Sequence, residues 1–315
     1  MNRKFFYKLV LFLAINASIA AGILHVLQAS RPAGTPKNWE TEADLPLIPD
    51  HGRFDVVLLG ASHGRIFSRD KNHLVVEGIL GKTVLNLSQG GGAGVVPMHL
   101  YLSHFYDRGN QAGTVVYFLD PFVLFSRAWN EDHDCIKGEP FRADFLLKAI
   151  SMGFSRGPLI DYFQYKFSGN WRDSKGIDMR FSDGNHGSLP GIDSVAVRKR
   201  IQSLFLDGMD PKVFQAYCGH LQALLSLARD HGSKMVIVFP STLLGPLPGT
   251  DQVKGYLAGL KNPDVAVFDF TDSIRDPSLF YDHDHLNTSG IELFTRRFLH
   301  PALDAEVARG GNAPP

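Results

Sequence analysis

Phe54-Asp55-Val56-Val57-Leu58-Leu59-Gly60-Ala61-Ser62-His63-Gly64 is the stretch on which the fold of this chain turns. Phe54–Leu59 is a short, nearly continuous apolar run closed by glycine, the pattern of a strand buried on both faces. Thr83–Leu87, Thr114–Leu119, Lys234–Phe239 and Val265–Phe268 repeat it, each rich in Val, Leu and Phe. Helical patterns lie between or after several of them. Val213–Arg229 is the clearest, with Phe214, Tyr217, Leu221, Leu224, Leu225 and Ala228 on one face and His231-Gly232 at its end. Ser289-Gly290-Ile291-Glu292 has the spacing of a capping box and opens another helix, through Phe294 and Phe298. Strand–helix alternation of this kind predicts an α/β fold, a three-layer α/β/α sandwich with a parallel, flavodoxin-like sheet.

The remaining sequence sets the boundaries. Residues 1–28 are expected to form a membrane anchor or signal peptide, 29–52 a linker, 53–305 the α/β domain and 306–315 a flexible tail. Arg3, Lys4 and Lys8 precede an apolar stretch, Leu9–Leu27, broken only by Asn16, Ser18 and His25. At about 1.5 Å per residue this reaches across a hydrocarbon layer of about 30 Å. The basic flank orients the bulk of the chain outside the cytoplasm. A cleaved signal peptide, with Leu9–Ile15 as its core and Ser18-Ile19-Ala20 as the cleavage site, is the competing reading, and it too exports the domain. The linker carries Pro32, Pro36, Pro46 and Pro49. Residues from about 127 to 212 break the alternation and are rich in aromatics, among them Trp129, Phe141, Phe145, Phe154, Tyr162, Phe163, Tyr165, Phe167 and Trp171. A structureless loop of that length is uncommon in a compact domain. The segment is expected to be an insertion with a helix around Ala143–Met152, forming a lid or wall beside the ligand-binding edge.

Composition excludes some partners. The 315 residues are 44% apolar and 20% charged, with formal charge +0 and no long basic run, so nothing favours nucleic acid. Cys135 and Cys218 are too few for a disulfide framework and lack metal-ligand spacing. Export would allow them to oxidise, but sequence separation says nothing about their geometry.

Chemistry concentrates in two turns. Ser62 follows the first strand in a glycine-flanked bend, and Asp282-His283-Asp284-His285-Leu286-Asn287 follows the last strand and precedes the last helix. In an open parallel sheet both turns lie at the carboxyl ends of strands, where such sheets bind ligands. A serine, a histidine and a carboxylate supply the nucleophile, base and orienting acid of acyl transfer. A third piece, Asn86-Leu87-Ser88-Gln89-Gly90-Gly91-Gly92-Ala93-Gly94, lacks the lysine and Ser/Thr of a phosphate loop and the glycine spacing of a dinucleotide site. Its backbone N–H groups suit an oxyanion hole instead. No cofactor and no metal are expected. A metal held by Asp282–His285 is a competing reading, as is an α/β-hydrolase, although there the nucleophile usually follows several strands and acid and base come from separate loops.

Gly60-Ala61-Ser62-His63 resembles the first block of the SGNH (GDSL-like) hydrolase superfamily, with Ala61 where aspartate is commonest. The turn at Gly90–Gly92 resembles the second block and Asp282-x-x-His285 the fifth. The resemblance implies Ser62 as nucleophile, His285 as base, Asp282 as its orienting acid, and backbone N–H groups of Ser62, Gly90 and Gly91 as the oxyanion hole. The third block departs from the family: Phe118-Leu119-Asp120-Pro121 stands where Gly-x-Asn-Asp is usual. An ionised aspartate only accepts hydrogen bonds and cannot replace the asparagine donor. Membrane-anchored members resemble polysaccharide O-acetylation proteins. This implies a bacterial, inner-membrane, single-pass protein whose periplasmic domain is an O-acyl, specifically acetyl, esterase or transferase on a cell-surface glycan. A membrane-bound acyl-donor protein would be a partner. The alternative is a catalytically degenerate member that binds glycan or scaffolds a modification and export complex.

Overall fold

The computed structural model describes residues 3–29, 48, 50–69, 72–90, 93–131, 136, 139, 142–154, 156–165, 187–262 and 264–311. The expected apolar runs form β1 (Arg53–Gly60), β2 (Val84–Asn86), β3 (Gln111–Phe118), β4 (Lys234–Phe239) and β5 (Val265–Asp269). All pair in parallel, in the order β2-β1-β3-β4-β5.

Alternation along each central strand divides the core between two faces. Val57 and Leu59 of β1, Val115 and Tyr117 of β3, and Met235, Ile237 and Phe239 of β4 share one cluster with the helices Val95–Asp107 and Pro211–Asp230. Val56, Leu58, Val116, Phe118, Val236 and Val238 point the other way, against the helices Asn72–Leu80 and Thr288–Phe294. Because successive side chains in a strand point to opposite faces, continuous apolar sequence demands cover on both sides. The result is the expected α/β/α sandwich.

Helix ends follow local hydrogen bonding. Pro211–Asp230 starts before the expected Val213, because the Asp210 side chain accepts from Lys212 N and Pro211 takes the first helical position. The cap of the helix Thr288–Phe294 differs from expectation. Asn287, extended at φ −80° and ψ 178°, caps Thr288–Phe294 by accepting from Gly290 N at 2.9 Å. Ser289 is already inside the first turn, and Glu292 pairs with Arg296 instead of reaching back.

Both boundaries of the domain extend past those expected. Ile48 is buried in the core and Asp50 pairs with Arg108 at 2.6 Å, so the end of the expected linker docks on the domain. The final helix runs from His300 to Gly311, and Glu306 O accepts from Lys234 Nζ at 2.8 Å. At the other end, a helix spans Arg3–Ala29, of which Arg3–Ile23 is long and apolar enough to cross a membrane and is not buried against the domain.

The insertion is largely helical where described, with helices Arg127–Glu131, Ala143–Ser151, Arg156–Tyr165 and Ser194–Leu204. Phe145, Phe154 and Tyr162 are core residues. Trp129 packs on Phe122 and donates its indole N–H to Leu204 O at 3.1 Å. Phe141, Phe167, Trp171 and Cys135 lie outside the described residues, whereas Cys218 is buried.

Topology fixes where ligands can bind. The chain leaves β1 for β2 on one side and returns to β3 on the other, so a crevice opens at the carboxyl ends of β1 and β3. There Gly60 is in register with Phe118. At φ +154°, a Cβ on Gly60 would lie 3.0 Å from Phe118 O and 3.1 Å from Phe118 Cβ. Only glycine lets β1 and β3 close at this point and send the chain straight into Ser62.

Candidate active site

Ser62 opens a short helical turn, Ser62–Arg65, directly after β1, with Gly64 N and Arg65 N both donating to Ala61 O. Gly64 allows the turn to sit on Ser88, whose Oγ would collide with any Cβ there. Asn86 braces the contact, donating from Nδ2 to Gly64 O at 2.8 Å and accepting from Ser88 N at 2.9 Å. The first N–H groups of a helical turn have no intrahelical acceptor, so the Ser62 N–H suits an oxyanion donor. Gln89 N donates to Gly60 O at 3.1 Å and thereby holds Gly90 beside the Ser62 turn. Gly91 lies outside the described residues.

The loop after β5 brings a carboxylate–imidazole pair to this edge. A bridge between Phe280 and Leu286, with Tyr281 N donating to His285 O at 3.1 Å, folds residues 280–286 into a narrow hairpin. Asp282 Oδ1 accepts from the backbone N–H groups of Asp284 and His285, both at 2.7 Å, and this side-chain turn fixes the loop. The Asp282 carboxylate then faces His285 Nδ1 at 2.9–3.0 Å. His285 Nε2 lies 2.7 Å from Ser62 Oγ. Residues separated by 223 positions thus meet as an acid–base–hydroxyl chain. Burial pushes the Asp282 carboxyl up, but its bond and attraction to His285 and the Asp284 N–H hold it below the usual range. It therefore faces His285 as a carboxylate, and Nδ1 donates to it, leaving Nε2 free to accept the Ser62 proton.

A second polar cluster lies under this chain. His63 is 2% exposed and lies against His285, with ring centroids 4.8 Å apart and planes tilted by 32°, while Tyr281 stacks on His285 at 5.4 Å. His63 Nδ1 forms an ion pair with Asp120 Oδ1 at 2.8 Å, and His63 Nε2 donates to Asp284 O at 2.6 Å, with Asp284 Oδ1 at 3.3 Å. Arg200, from the insertion helix Ser194–Leu204, donates from Nε and Nη2 to Asp284 Oδ2 at 2.8 and 2.7 Å. Thr242, after β4, donates to Asp284 Oδ1 at 3.4 Å. Burial alone pulls the His63 imidazole down, yet the Asp120 and Asp284 carboxylates outweigh it and hold it well above its ordinary value. Asp284, pushed up by burial, is held far below the carboxylate range by His63, His285 and Arg200.

Asp120 is therefore turned into the protein and occupied by His63; it offers no donor to the crevice. Asp284 does not compete with Asp282 for His285 Nδ1. His63, Arg200 and Tyr281 have no assigned role in the sequence pattern, because their partners lie on distant segments of the chain.

Among the described residues, His63, Asp284 and His285 bring ligand-type atoms within 4.8 Å of one another. Each is already committed: His63 to Asp120 and Asp284, His285 to Asp282 and Ser62, and Asp284 to the Arg200 cation. A guanidinium seated on the one carboxylate of the trio disfavours a second cation there. The segment Asp282–His285 also does not act as one ligand set, because His283 Nε2 turns away to accept from Asp193 N at 2.8 Å.

The insertion forms one wall of the crevice. Besides Arg200 and Asp193, Leu189 N donates to Phe280 O at 3.0 Å and Asn287 Nδ2 donates to Gly187 O at 2.9 Å. A separate cleft of about 310 Å³, lined by Gln222, Arg229, Lys261 and Asp264, lies at the amino-terminal end of β5 and away from Ser62. No protein-family model matches this chain, and no curated protein is similar to it at a significant level.

The buried cluster has a pH signature. A raised histidine stabilises the fold fully below its ordinary value of 6.5 and loses that contribution as pH climbs through the raised value. Above pH 6.5 the unfolding free energy should fall by up to about 1.4 kcal/mol per pH unit on account of His63. Urea titrations at a series of alkaline pH values read this slope, and His63→Gln should flatten it. An unchanged slope in that variant would remove His63 as its source.

Proposed function

We propose that this protein is a serine-dependent O-acyl, specifically acetyl, esterase or transferase of the SGNH hydrolase type that acts on a cell-surface glycan. The observation that carries the reading is the hydrogen-bonded chain Ser62 Oγ–His285 Nε2–Asp282, at 2.7 and 2.9 Å, opening at the crevice between β1 and β3. In this reading Ser62 Oγ attacks the acyl carbonyl while its proton passes to His285 Nε2, and Asp282 stabilises the imidazolium. The tetrahedral oxyanion is met by the N–H groups of Ser62 and the Gly90 turn. Collapse breaks the bond to the alcohol, which leaves with the proton from His285, and the acyl group stays on Ser62. Water or an acceptor hydroxyl then loses its proton to His285 and attacks the acyl-enzyme, releasing acid or a new ester. Hydrolase and transferase share every residue to this point and differ only in the second acceptor.

The third-block donor is absent here, since Asp120 is engaged with His63. Loss of one oxyanion donor costs about 10²–10³ in rate in a well-studied protease, so turnover should be modest. The same observation favours a second reading, a glycan-binding or scaffold protein that retains the site's frame without its rate.

The two readings separate experimentally. The full-length chain in detergent should release acetate from an activated acetyl ester and from an acetylated polysaccharide. Ser62→Ala should abolish release, and Asp282→Asn should lower kcat by about 10³–10⁴. Glycan binding without turnover in the wild type would favour the scaffold reading and sink the enzymatic one.

The proposal places the protein in a bacterial inner membrane by the helix Arg3–Ala29, with the α/β domain in the periplasm and a membrane-bound acyl-donor protein as partner. Arg3, Lys4 and Lys8 on the amino-terminal side of the span support this orientation. Protease added to spheroplasts should digest the domain while cytosolic markers survive. Protection of the domain would refute the topology, and a soluble form starting near Ala21 would establish cleavage after Ala20.

A further inference from the structure

The buried cluster is built for more than packing. His63 Nε2 faces only acceptors, the carbonyl oxygen and Oδ1 of Asp284, and Nδ1 faces a carboxylate oxygen of Asp120. A neutral imidazole carries one proton and would leave one of these contacts repulsive. The contacts therefore favour a proton on each nitrogen, in keeping with an imidazole that the two carboxylates hold well above its ordinary value. His63 is a cation enclosed between two carboxylates, one of which is shared with Arg200.

We propose that His63 is a positioning residue of the reaction, a fixed cation beneath His285 that keeps the base neutral and locks the Ser62 turn to the loop after β5. The inference rests on the reading of Ser62, His285 and Asp282 given above. Two consequences follow from where the cation sits. His63 ties the turn after β1 to the ends of β3 and β5 at once, through Asp120 and Asp284. It also sets a positive charge beside the His285 ring, with ring centroids 4.8 Å apart, while Asp282 sets a negative charge at Nδ1. A neighbouring cation opposes protonation of His285 before the substrate arrives, and Asp282 supports the imidazolium that forms during attack. The cation thus holds the base in the form that can accept the Ser62 proton.

The charged and titratable groups around these two rings come from several elements. Asp120 follows β3, Tyr281, Asp282 and Asp284 belong to the loop after β5, and Arg200 comes from the insertion. Arg65 and Arg69 lie on or just after His63's own turn, and both act on Tyr281. Counting the buried cluster alone, Asp120 and Asp284 balance His63 and Arg200. Removing one member at a time therefore shifts the local charge in opposite directions.

This gives the test. The pH dependence of kcat/KM for an activated acetyl ester is measured on the full chain in detergent. His63→Gln leaves an excess negative charge, and the acid limb should move up by about one pH unit. Asp120→Asn leaves an excess positive charge, and the limb should move down. The double variant, neutral at both positions, should return it towards the wild type. A purely structural role would change rate or stability without this ordered pattern, so unmoved limbs in the single variants would overturn the inference. If His63→Gln does not fold, the downward shift in Asp120→Asn carries the test alone. Nitrogen-15 shifts of the wild-type histidines provide a readout independent of activity: His63 should show two protonated ring nitrogens at pH 8. A neutral tautomer there would also overturn the inference. A wild type inert toward esters but with a doubly protonated His63 would instead defeat the reaction reading, and with it the role assigned to His63.

Discussion

β1 pairs in register with β3 from Arg53 opposite Gln111 to Gly60 opposite Phe118, and the candidate site depends on that alignment. Two residues past Gly60 stands Ser62, and two past Phe118 stands Asp120. Because the strands are parallel, both exits open on the same edge of the sheet, and His63 can reach across to Asp120 at 2.8 Å. A one-residue slip would turn every side chain of β1 to the opposite face, exchanging Val57 and Leu59 for Val56 and Leu58. The two core clusters resist this, since each face of the central strands is filled by different helices. Gly60 adds a local condition, as no side chain fits against the Phe118 carbonyl.

The loop after β5 is held to that edge by different means. Asp282 folds it with two backbone hydrogen bonds and then presents its carboxylate to His285. Asp284, one residue before His285, points down into the cluster with His63 and Arg200. Burying two carboxylates around His63, with a partly exposed Arg200 on one of them, is costly, and replacing such groups by apolar ones is often neutral or stabilising for a fold. Their arrangement beside the Ser62–His285 pair fits the positioning role proposed for His63. Arg200 brings the insertion into the same arrangement, so the wall of the crevice and the loop carrying His285 are one connected unit.

Much of this was legible in the sequence, for identifiable reasons. The carboxyl-terminal halves of β1 and β3, together with β2 and β4, announce themselves as apolar runs because both of their faces are buried, whereas the edge strand β5 is only partly covered, with Val267 42% exposed; strand–helix alternation then leaves few topologies. Ser62 could be selected because it sits in a turn just past β1, and Asp282 and His285 because they share a polar loop between the last strand and the helix Thr288–Phe294. Contacts that join distant loops left no local signal. The pairing of His63 with Asp120 spans the connection through β2, and that of Arg200 with Asp284 depends on the path of the insertion. The departure at Asp120 looked like a missing donor, whereas in three dimensions it is the acceptor that His63 requires. The aromatic density of the insertion was ambiguous for a similar reason, and Phe145, Phe154 and Tyr162 prove to be core. At Asn287 two capping patterns lay within a few residues, and backbone geometry rather than spacing decided between them.

The central claim is that Ser62 is a nucleophile activated by His285 and Asp282. Covalent labelling tests it without a known substrate: the full-length chain is incubated with a fluorophosphonate, and the adduct is located by peptide mass spectrometry. The account predicts a single adduct on Ser62, absent from Ser62→Ala and much slower to form in Asp282→Asn. Equal labelling of Ser62→Ala, or no adduct on Ser62 in the folded wild type, would contradict it.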